Sequence, residues 1–396
     1  MFHEVPGPER ERHGLRANGA TALHERALDL APRIPPWATP IFHLYQGSDT
    51  EIKVVVGNVT KPTEGFGGWY STITFYCDIS PEDRPSHVAI SWPANRTQSA
   101  KIPVFYPDPI TKRAMTVCYS VLYRGYNGVS SLRQNFEYVR LMGAEHVFFY
   151  VMSVGQDTED LFRYYTDIGF LTVLKMPKNF ITNHYWYYGQ SLANYDCHSR
   201  NKYTTDLVAL HDHDEYIFPL QHSTWAEMIR SIDDSLENKA DDKQIAAYTF
   251  QHKFLCKNVT LTDSPHWAEL KDKLKLTPEE EVFIDEHKVS VFQRVTSRGA
   301  SNFWDFPRRS KSIIRPRLVK EVFTHMPRVI VDSARRCDVD NQLAFLAHYW
   351  KLQDFTCVYY DLKVVGFLRT FLDGLMKASS KFEAFVKSGS KAVIET

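Results

Sequence analysis

From Met115 to Leu210 the chain alternates short apolar runs with stretches of helical spacing, and this alternation restricts the fold more than any other feature. Met115 to Leu122 is apolar and β-branched enough for a strand. Leu132, Phe136, Val139 and Met142 follow at helical spacing, with Ser130 or Ser131 as a possible cap and Gly143 at the end. His146 to Val151 is a second strand. Asp157 or Thr158 can cap a helix that carries Leu161, Tyr165 and Ile168 on one face and stops at Gly169. Phe170 to Leu174 is a third strand, Gln190 to Arg200 reads as helical, and Leu207 to Leu210 is a fourth strand. Strands and helices in alternation, joined by right-handed crossovers, build a mostly parallel sheet covered on both faces. An α/β domain is therefore expected over residues 113–396.

The 396 residues leave room for a second unit. Between residues 39 and 112 the texture is β: residues 53–56, 69–77, 87–92 and 101–106 are rich in β-branched and aromatic side chains, punctuated by Gly67-Gly68, Pro81 and Pro93. They predict a small, sandwich-like β module. Residues 1–38 are charged, proline-bearing and weakly patterned, and read as a stem or tail.

Lysine plus arginine (47) balances aspartate plus glutamate (47), so the basic footprint of a nucleic-acid binder is missing and no nucleic-acid polymer is expected as a partner. The six cysteines form no CxxC, which argues against a zinc ribbon or a thioredoxin-type pair. Their even number, with sequons at Asn58, Asn95 and Asn258, points to the oxidising secretory lumen. All pairings stay open. No apolar run reaches about 18 residues, so no membrane span is expected. The start, Met1 to Val5, lacks a basic-then-apolar leader, and the expectation is that any membrane anchor is missing from this chain.

The fourth strand runs straight into His211-Asp212-His213-Asp214-Glu215. Ligands of open α/β sheets bind outside the carboxyl ends of the strands, so this acidic cluster stands where a site belongs. If the strand continues, Asp212 and Asp214 share one face, while His211, His213 and Glu215 point the other way. Two carboxylates so close repel each other, and a hard divalent cation relieves that repulsion while keeping positions open for diphosphate oxygens.

Several segments in collinear order resemble glycosyltransferase family 92. They are Cys118-Tyr119-Ser120, Asn135 to Tyr138, Leu141 to Tyr150, Asp196-Cys197 with Arg200, Asp212-x-Asp214-Glu215 with Pro219, Lys311 to Pro316 followed by His325, and His348-Tyr349. The resemblance spans about residues 114–350. It implies a GT-A-like, Rossmann-type catalytic domain, a UDP-galactose donor, a glycan or glycoprotein acceptor, Mn²⁺ (or Mg²⁺) dependence, inversion at the anomeric carbon and residence in the Golgi lumen.

Asp212 and Asp214 are the expected metal-site carboxylates, and His325 or His348 the imidazole that joins them. Lys311 and Arg315 can reach donor phosphates, the arginine bidentately. Asp212, Asp196 and Arg200 complete the expected donor site, although an i, i+4 pair such as Asp196–Arg200 also forms on plain helices. Inversion needs a base beside the acceptor hydroxyl. Among Asp263, Asp285, Glu286 and Asp305, the last is favoured because Trp304 and Phe306 flank it. The competing readings are a metallohydrolase using His211 to Asp214, which strand alternation and the absence of HExxH disfavour, and a non-catalytic glycan binder, which the intact aspartate pair disfavours.

Overall fold

The computed structural model of the chain describes residues 15–18, 39–47, 49–60, 73–80, 82–93, 98–106, 110–176, 186–236, 243–256, 267–289, 292, 295–297, 308–350, 357–359 and 367–389. Seven short strands come first: β1 (Leu15–Asn18), β2 (Ile41–Gln46), β3 (Thr50–Val56), β4 (Asn58–Thr60), β5 (Thr74–Ile79), β6 (His87–Ser91) and β7 (Ile102–Pro103). They make two sheets, ordered β1-β5-β4 and β3-β2-β6-β7. Phe42, Leu44, Cys77, Ile79, Val88 and Ile90 from both sheets share one apolar core. β1 falls within the expected tail and pairs antiparallel with β5.

The larger unit runs β8 (Arg113–Leu122), α1 (Val129–Leu141), β9 (His146–Val151), α2 (Gln156–Asp167), β10 (Leu171–Lys175), α3 (Gln190–Asn201), β11 (Thr205–Leu210), β12 (Glu215–Pro219) and α4 (Trp225–Leu236). It continues through β13 (Gln244–Phe250), β14 (His252–Cys256), α5 (Trp267–Leu274), α6 (Pro278–Glu286), β15 (Val295–Ser297), β16 (Lys311–Ile314), β17 (Val319–Glu321), β18 (Val329–Ile330), β19 (Ala334–Asp338), β20 (Ala344–Trp350), β21 (Cys357–Tyr359) and α7 (Leu368–Lys387). The central sheet has the order β10-β9-β8-β11-β16-β13-β19. Its first four strands are mutually parallel, β16 is antiparallel to both neighbours, and β19 is parallel to β13. The expected α/β architecture with a mostly parallel sheet is present.

Burial on both faces explains the near-continuous apolar strands. Met115, Val117 and Tyr119 of β8, with Val147 and Phe149 of β9, face the core shared with α1, α2, α4 and α7. Cys118 and Val121, with Phe148 and Tyr150, face α3. The alternation slips at Ser120, where a bulge between Tyr119 and Val121 leaves it unmatched against β9. The helix starts also differ from expectation. Gly128 and Gly155 take the cap positions of α1 and α2 without side-chain caps of their own. Instead Asn127 reaches across to accept from the Thr158 N–H of α2 at 3.1 Å, and Ser130 Oγ donates to the His287 carbonyl at 3.0 Å.

A second sheet, β12-β20-β14-β15-β21, stands beside the carboxyl end of β11. In it β12 pairs antiparallel with β20, placing Glu215 opposite His348, and β20 pairs parallel with β14. This register brings residues more than 130 positions apart in the chain onto one spot.

Candidate active site

The strand does not continue through the acidic motif. β11 stops at Leu210, and a turn follows in which the Glu215 N–H donates to the Asp212 carbonyl at 3.1 Å. The Glu215 carboxylate closes the same turn by accepting from the Asp212 N–H at 2.8 Å, and His211 Nδ1 donates to the Asp212 carbonyl at 2.9 Å. The placement of Glu215 on the face away from the aspartates is therefore corrected. A turn brings residues i and i+3 together, whereas a strand would alternate them. His211 is buried against Tyr119 and Trp225, and His213 lies edge-on to Tyr126 at 5.0 Å.

Asp212 is held from three elements. Ser120 Oγ donates to its Oδ1 at 2.9 Å, Gln190 Nε2 donates to the same oxygen at 2.8 Å, and Lys311 Nζ donates to Oδ2 at 2.8 Å. The β8 bulge presents Ser120. Gln190 opens α3 after three consecutive residues in the left-handed region, Tyr187, Tyr188 and Gly189, and such local strain is characteristic of functional sites. Burial works against the Asp212 charge, yet Lys311 outweighs it and holds the carboxyl below its ordinary range. Lys311 is itself buried and stands 3.6 Å from Glu215 Oε2, so the two acids keep it protonated although burial opposes that. Burial pushes the Glu215 carboxyl up to about 7, with Lys311 pulling the other way and Asp212 adding to the rise.

Asp214 faces a different partner. His348 Nε2 lies 3.3 Å from its Oδ2, while the same ring's Nδ1 is 3.5 Å from Glu215 Oε1 and 3.1 Å from His252 Nε2. Burial opposes the charged form of His348, but Asp214 and Glu215 raise it overall. His252 is fully buried, and burial, with His348 beside it, drives its imidazole down to about 2, so it stays neutral. Glu215, His252 and His348 are the group among the described residues whose donor atoms approach closely enough to share an ion.

At the outer edge of this group a divalent cation fits between Asp214 and the Nε2 of His348. Neighbouring ligands of an octahedral shell with bonds of ~2.1 Å lie about 3 Å apart. The Asp214 and His348 donor atoms are already 3.3 Å apart, and a mixed carboxylate–imidazole set suits a first-row ion such as Mn²⁺. Asp212, by contrast, already has both oxygens engaged by protein donors.

Of the two candidate histidines, His348 meets an aspartate of the motif. His325 lies near enough to feel Lys311 and Asp212, with burial lowering its imidazole to about 4. The expected donor cations separate: Lys311 opens β16 and Arg315 follows its last residue, and of the two Lys311 reaches the cluster. Arg315 donates to Asp233 Oδ2 and to the Ile245 carbonyl, both at 2.7 Å, and lies over the Tyr248 ring. Asp196 accepts from Arg200 Nε and from Tyr150 Oη, both at 2.6 Å, making a partly buried clasp between α3 and β9. Beside it Cys197 is disulfide-bonded to Cys118, which fastens α3 to β8. Cys77 is a buried free thiol in the small β unit. Asp285 is exposed and pairs with Lys288 at 3.0 Å, and Glu286 is exposed beside it at the end of α6. Asp305 and Asp263 lie outside the described residues.

Sequence reasoning did not assign Ser120, Gln190 or His252 a role, nor Glu215 a place in the cluster. Ser120 and Glu215 stand inside the motifs quoted above. Gln190 and His252 carry no local signal.

A mostly parallel sheet with a buried acidic turn and an opposed histidine at a strand's carboxyl end defines an α/β protein with a candidate site where such sheets bind their ligands. Residues 113–387 match glycosyltransferase family 92, and the chain belongs to that family. No curated protein matches the chain. Among solved structures, glucosyl-3-phosphoglycerate synthase from Mycobacterium tuberculosis, in complex with phosphoglyceric acid, is 12% identical, over 53% of this chain and 59% of its own, with a TM-score of 0.24. A second, described as a mycobacterial protein, is 11% identical over 67% of this chain and 74% of its own, with a TM-score of 0.26. Among the described residues no helix is long and apolar enough to cross a membrane.

Proposed function

We propose that this chain is an inverting, Mn²⁺-dependent galactosyltransferase that uses UDP-galactose and builds a β-galactoside on a glycan or glycoprotein acceptor. The observation that carries this reading is the opposition of Asp214 and His348 at the carboxyl end of β11, with Lys311 neutralising Asp212 behind them. Asp214 and His348 would hold the cation, whose chemistry is to neutralise charge on the departing nucleoside diphosphate. Ser120, Gln190 and Lys311 keep Asp212 in one orientation toward the donor. Tyr123 and Tyr188, stacked with ring centroids 3.5 Å apart beside this cluster, offer a flat face to the donor's base.

Inversion proceeds by one displacement. The acceptor oxygen attacks the anomeric carbon, the bond to the diphosphate oxygen breaks, and a base takes the acceptor proton. Asp305 is the base put forward, from its aromatic flanks in the sequence. The Cys118–Cys197 disulfide and the exposed Asn58 sequon favour the secretory lumen, with the Golgi as the proposed residence.

The test is transfer of labelled sugar from a panel of UDP-sugars to a glycan array, with and without Mn²⁺. UDP-galactose and Mn²⁺ are expected together, and Asp214→Asn is expected to remove at least ~100-fold of the rate while the melting temperature holds. Release of free galactose without transfer would indicate a hydrolase, and near-normal transfer by Asp214→Asn would refute the metal assignment.

A further inference from the structure

An imidazole can offer a nitrogen to a cation only if its proton sits on the other nitrogen, and what that second nitrogen meets fixes the tautomer. His348 presents Nε2 to Asp214 and Nδ1 inward. Among the described residues, the inward group that meets it is His252 Nε2 at 3.1 Å. Glu215 Oε1, at 3.5 Å, is beyond good hydrogen-bond range, and the other oxygen of that carboxylate is engaged by the Asp212 N–H.

His252 is held for this contact. It is the first residue of β14, and the parallel pairing of β14 with β20 sets its ring at 89° to that of His348, with centroids 5.2 Å apart. Phe254, two residues on and therefore on the same face of the strand, packs against both rings, at 4.5 Å from His252 and 5.4 Å from His348. The other nitrogen of His252, Nδ1, is buried without a hydrogen-bond partner. A polar atom left unmatched in a core is destabilising and calls for an explanation. A leucine or phenylalanine would fill the space without that penalty, so the ring is retained for what its Nε2 does.

We propose that His252 is a positioning residue: it accepts the Nδ1–H of His348 and so keeps the Nε2 lone pair of that ring directed, beside Asp214, at the cation. Phe254, packed against both rings, fixes the orientation of each. The inference rests on the reading of Asp214 and His348 as the cation-holding pair, and its test separates the two.

Mn²⁺ affinity is measured on the full chain by electron paramagnetic resonance of the free ion, without donor or acceptor. Loss of a second partner of a ligating histidine weakens metal binding by about 10- to 100-fold. His252→Phe is expected to show that loss with an unchanged near-UV circular dichroism spectrum. His252→Gln, whose carboxamide oxygen can accept from Nδ1–H, is expected to stay within about 3-fold of the parent, well short of that range. Should His252→Phe not fold, the length-matched pair His252→Gln and His252→Met makes the same comparison, the methionine variant being the weak one. Equal affinities for the glutamine and apolar variants would overturn the proposal. Asp214→Asn is the control: if it abolishes Mn²⁺ binding while His252→Phe binds normally, the role of His252 is wrong and the cation site stands. If neither substitution weakens binding, the cation site is wrong, and this proposal falls with it.

Discussion

Replacing Lys311 by methionine is the most searching perturbation of this site. The side chain is 4% exposed, with its ammonium 2.8 Å from Asp212 Oδ2 and 3.6 Å from Glu215 Oε2. At an effective dielectric constant of about 20 these contacts attract by roughly 6 and 5 kcal/mol, against a desolvation penalty of several kcal/mol for burying the ammonium. Methionine removes the cation but leaves both carboxylates inside. Breaking a buried pair from one side destabilises by about 3–5 kcal/mol. The loss depends on pH, and its sign follows from linkage. Without Lys311 the burial that raises both carboxyls loses its main offset: Asp212 loses the partner that holds it below its ordinary range, and Glu215, already at about 7, rises further. Stability tied to raised carboxyl pKa values is present at low pH and lost as pH rises through them. The penalty should thus be small at pH 5 and grow steadily towards pH 8. Urea unfolding in EDTA, followed by tryptophan fluorescence across that range, measures it. Excess Mn²⁺ should stabilise the variant more than the parent, because the ion meets carboxylates that have lost their internal partner. A penalty under about 1 kcal/mol at pH 8, or one that does not change with pH, would refute the idea that a buried ammonium balances this cluster.

Three further outcomes are expected. Arg315→Met should lower stability by about 2 kcal/mol through loss of its charge-assisted bonds, yet leave the KM for the donor within about 2-fold, since the guanidinium serves Asp233 and Ile245; a large KM rise at unchanged stability would return Arg315 to the donor site. Removing the Cys118–Cys197 disulfide by paired serine substitution opens a link across 79 residues and should destabilise by about 2–5 kcal/mol in chemical unfolding; no change would mean the helix is held by packing alone. Burial depresses His146 to about 4 and His198 to about 3, so below 6.5 the unfolded chain takes up protons that the folded one refuses. Each should withdraw about 2 kcal/mol of stability between pH 7 and pH 5, and His198→Gln should flatten the acid limb of the stability curve by its share.

The elements around the site were largely legible because their signals are local. β9 matches its expected span, α3 extends one residue past it, and β8 and β11 begin only two residues early; both faces of these strands are buried, and their composition says so. The helix caps were misplaced for the opposite reason. Asn127 caps α2 from 31 positions away, and a serine near a helix start says nothing about a rival in another loop. The aspartates of the motif stood out because two carboxylates after an apolar strand are conspicuous. The backbone through them was misjudged, since a continuing strand and a turn share the same sequence texture.

By itself, then, the sequence determined the alternating α/β unit, the acidic end of its fourth parallel strand and the family likeness, all carried by residues near one another in the chain. The tertiary structure alone decided which side chains converge. Register between β12 and β20 sets His348 on Asp214, parallel pairing of β14 and β20 brings up His252, and a bulge in β8 delivers Ser120 to Asp212. These partners come from strands 92 to 134 residues removed in three of the pairings just named or implied, Ser120–Asp212, His252–His348 and Asp214–His348, and hydrogen-bond register across a sheet leaves no mark on local composition.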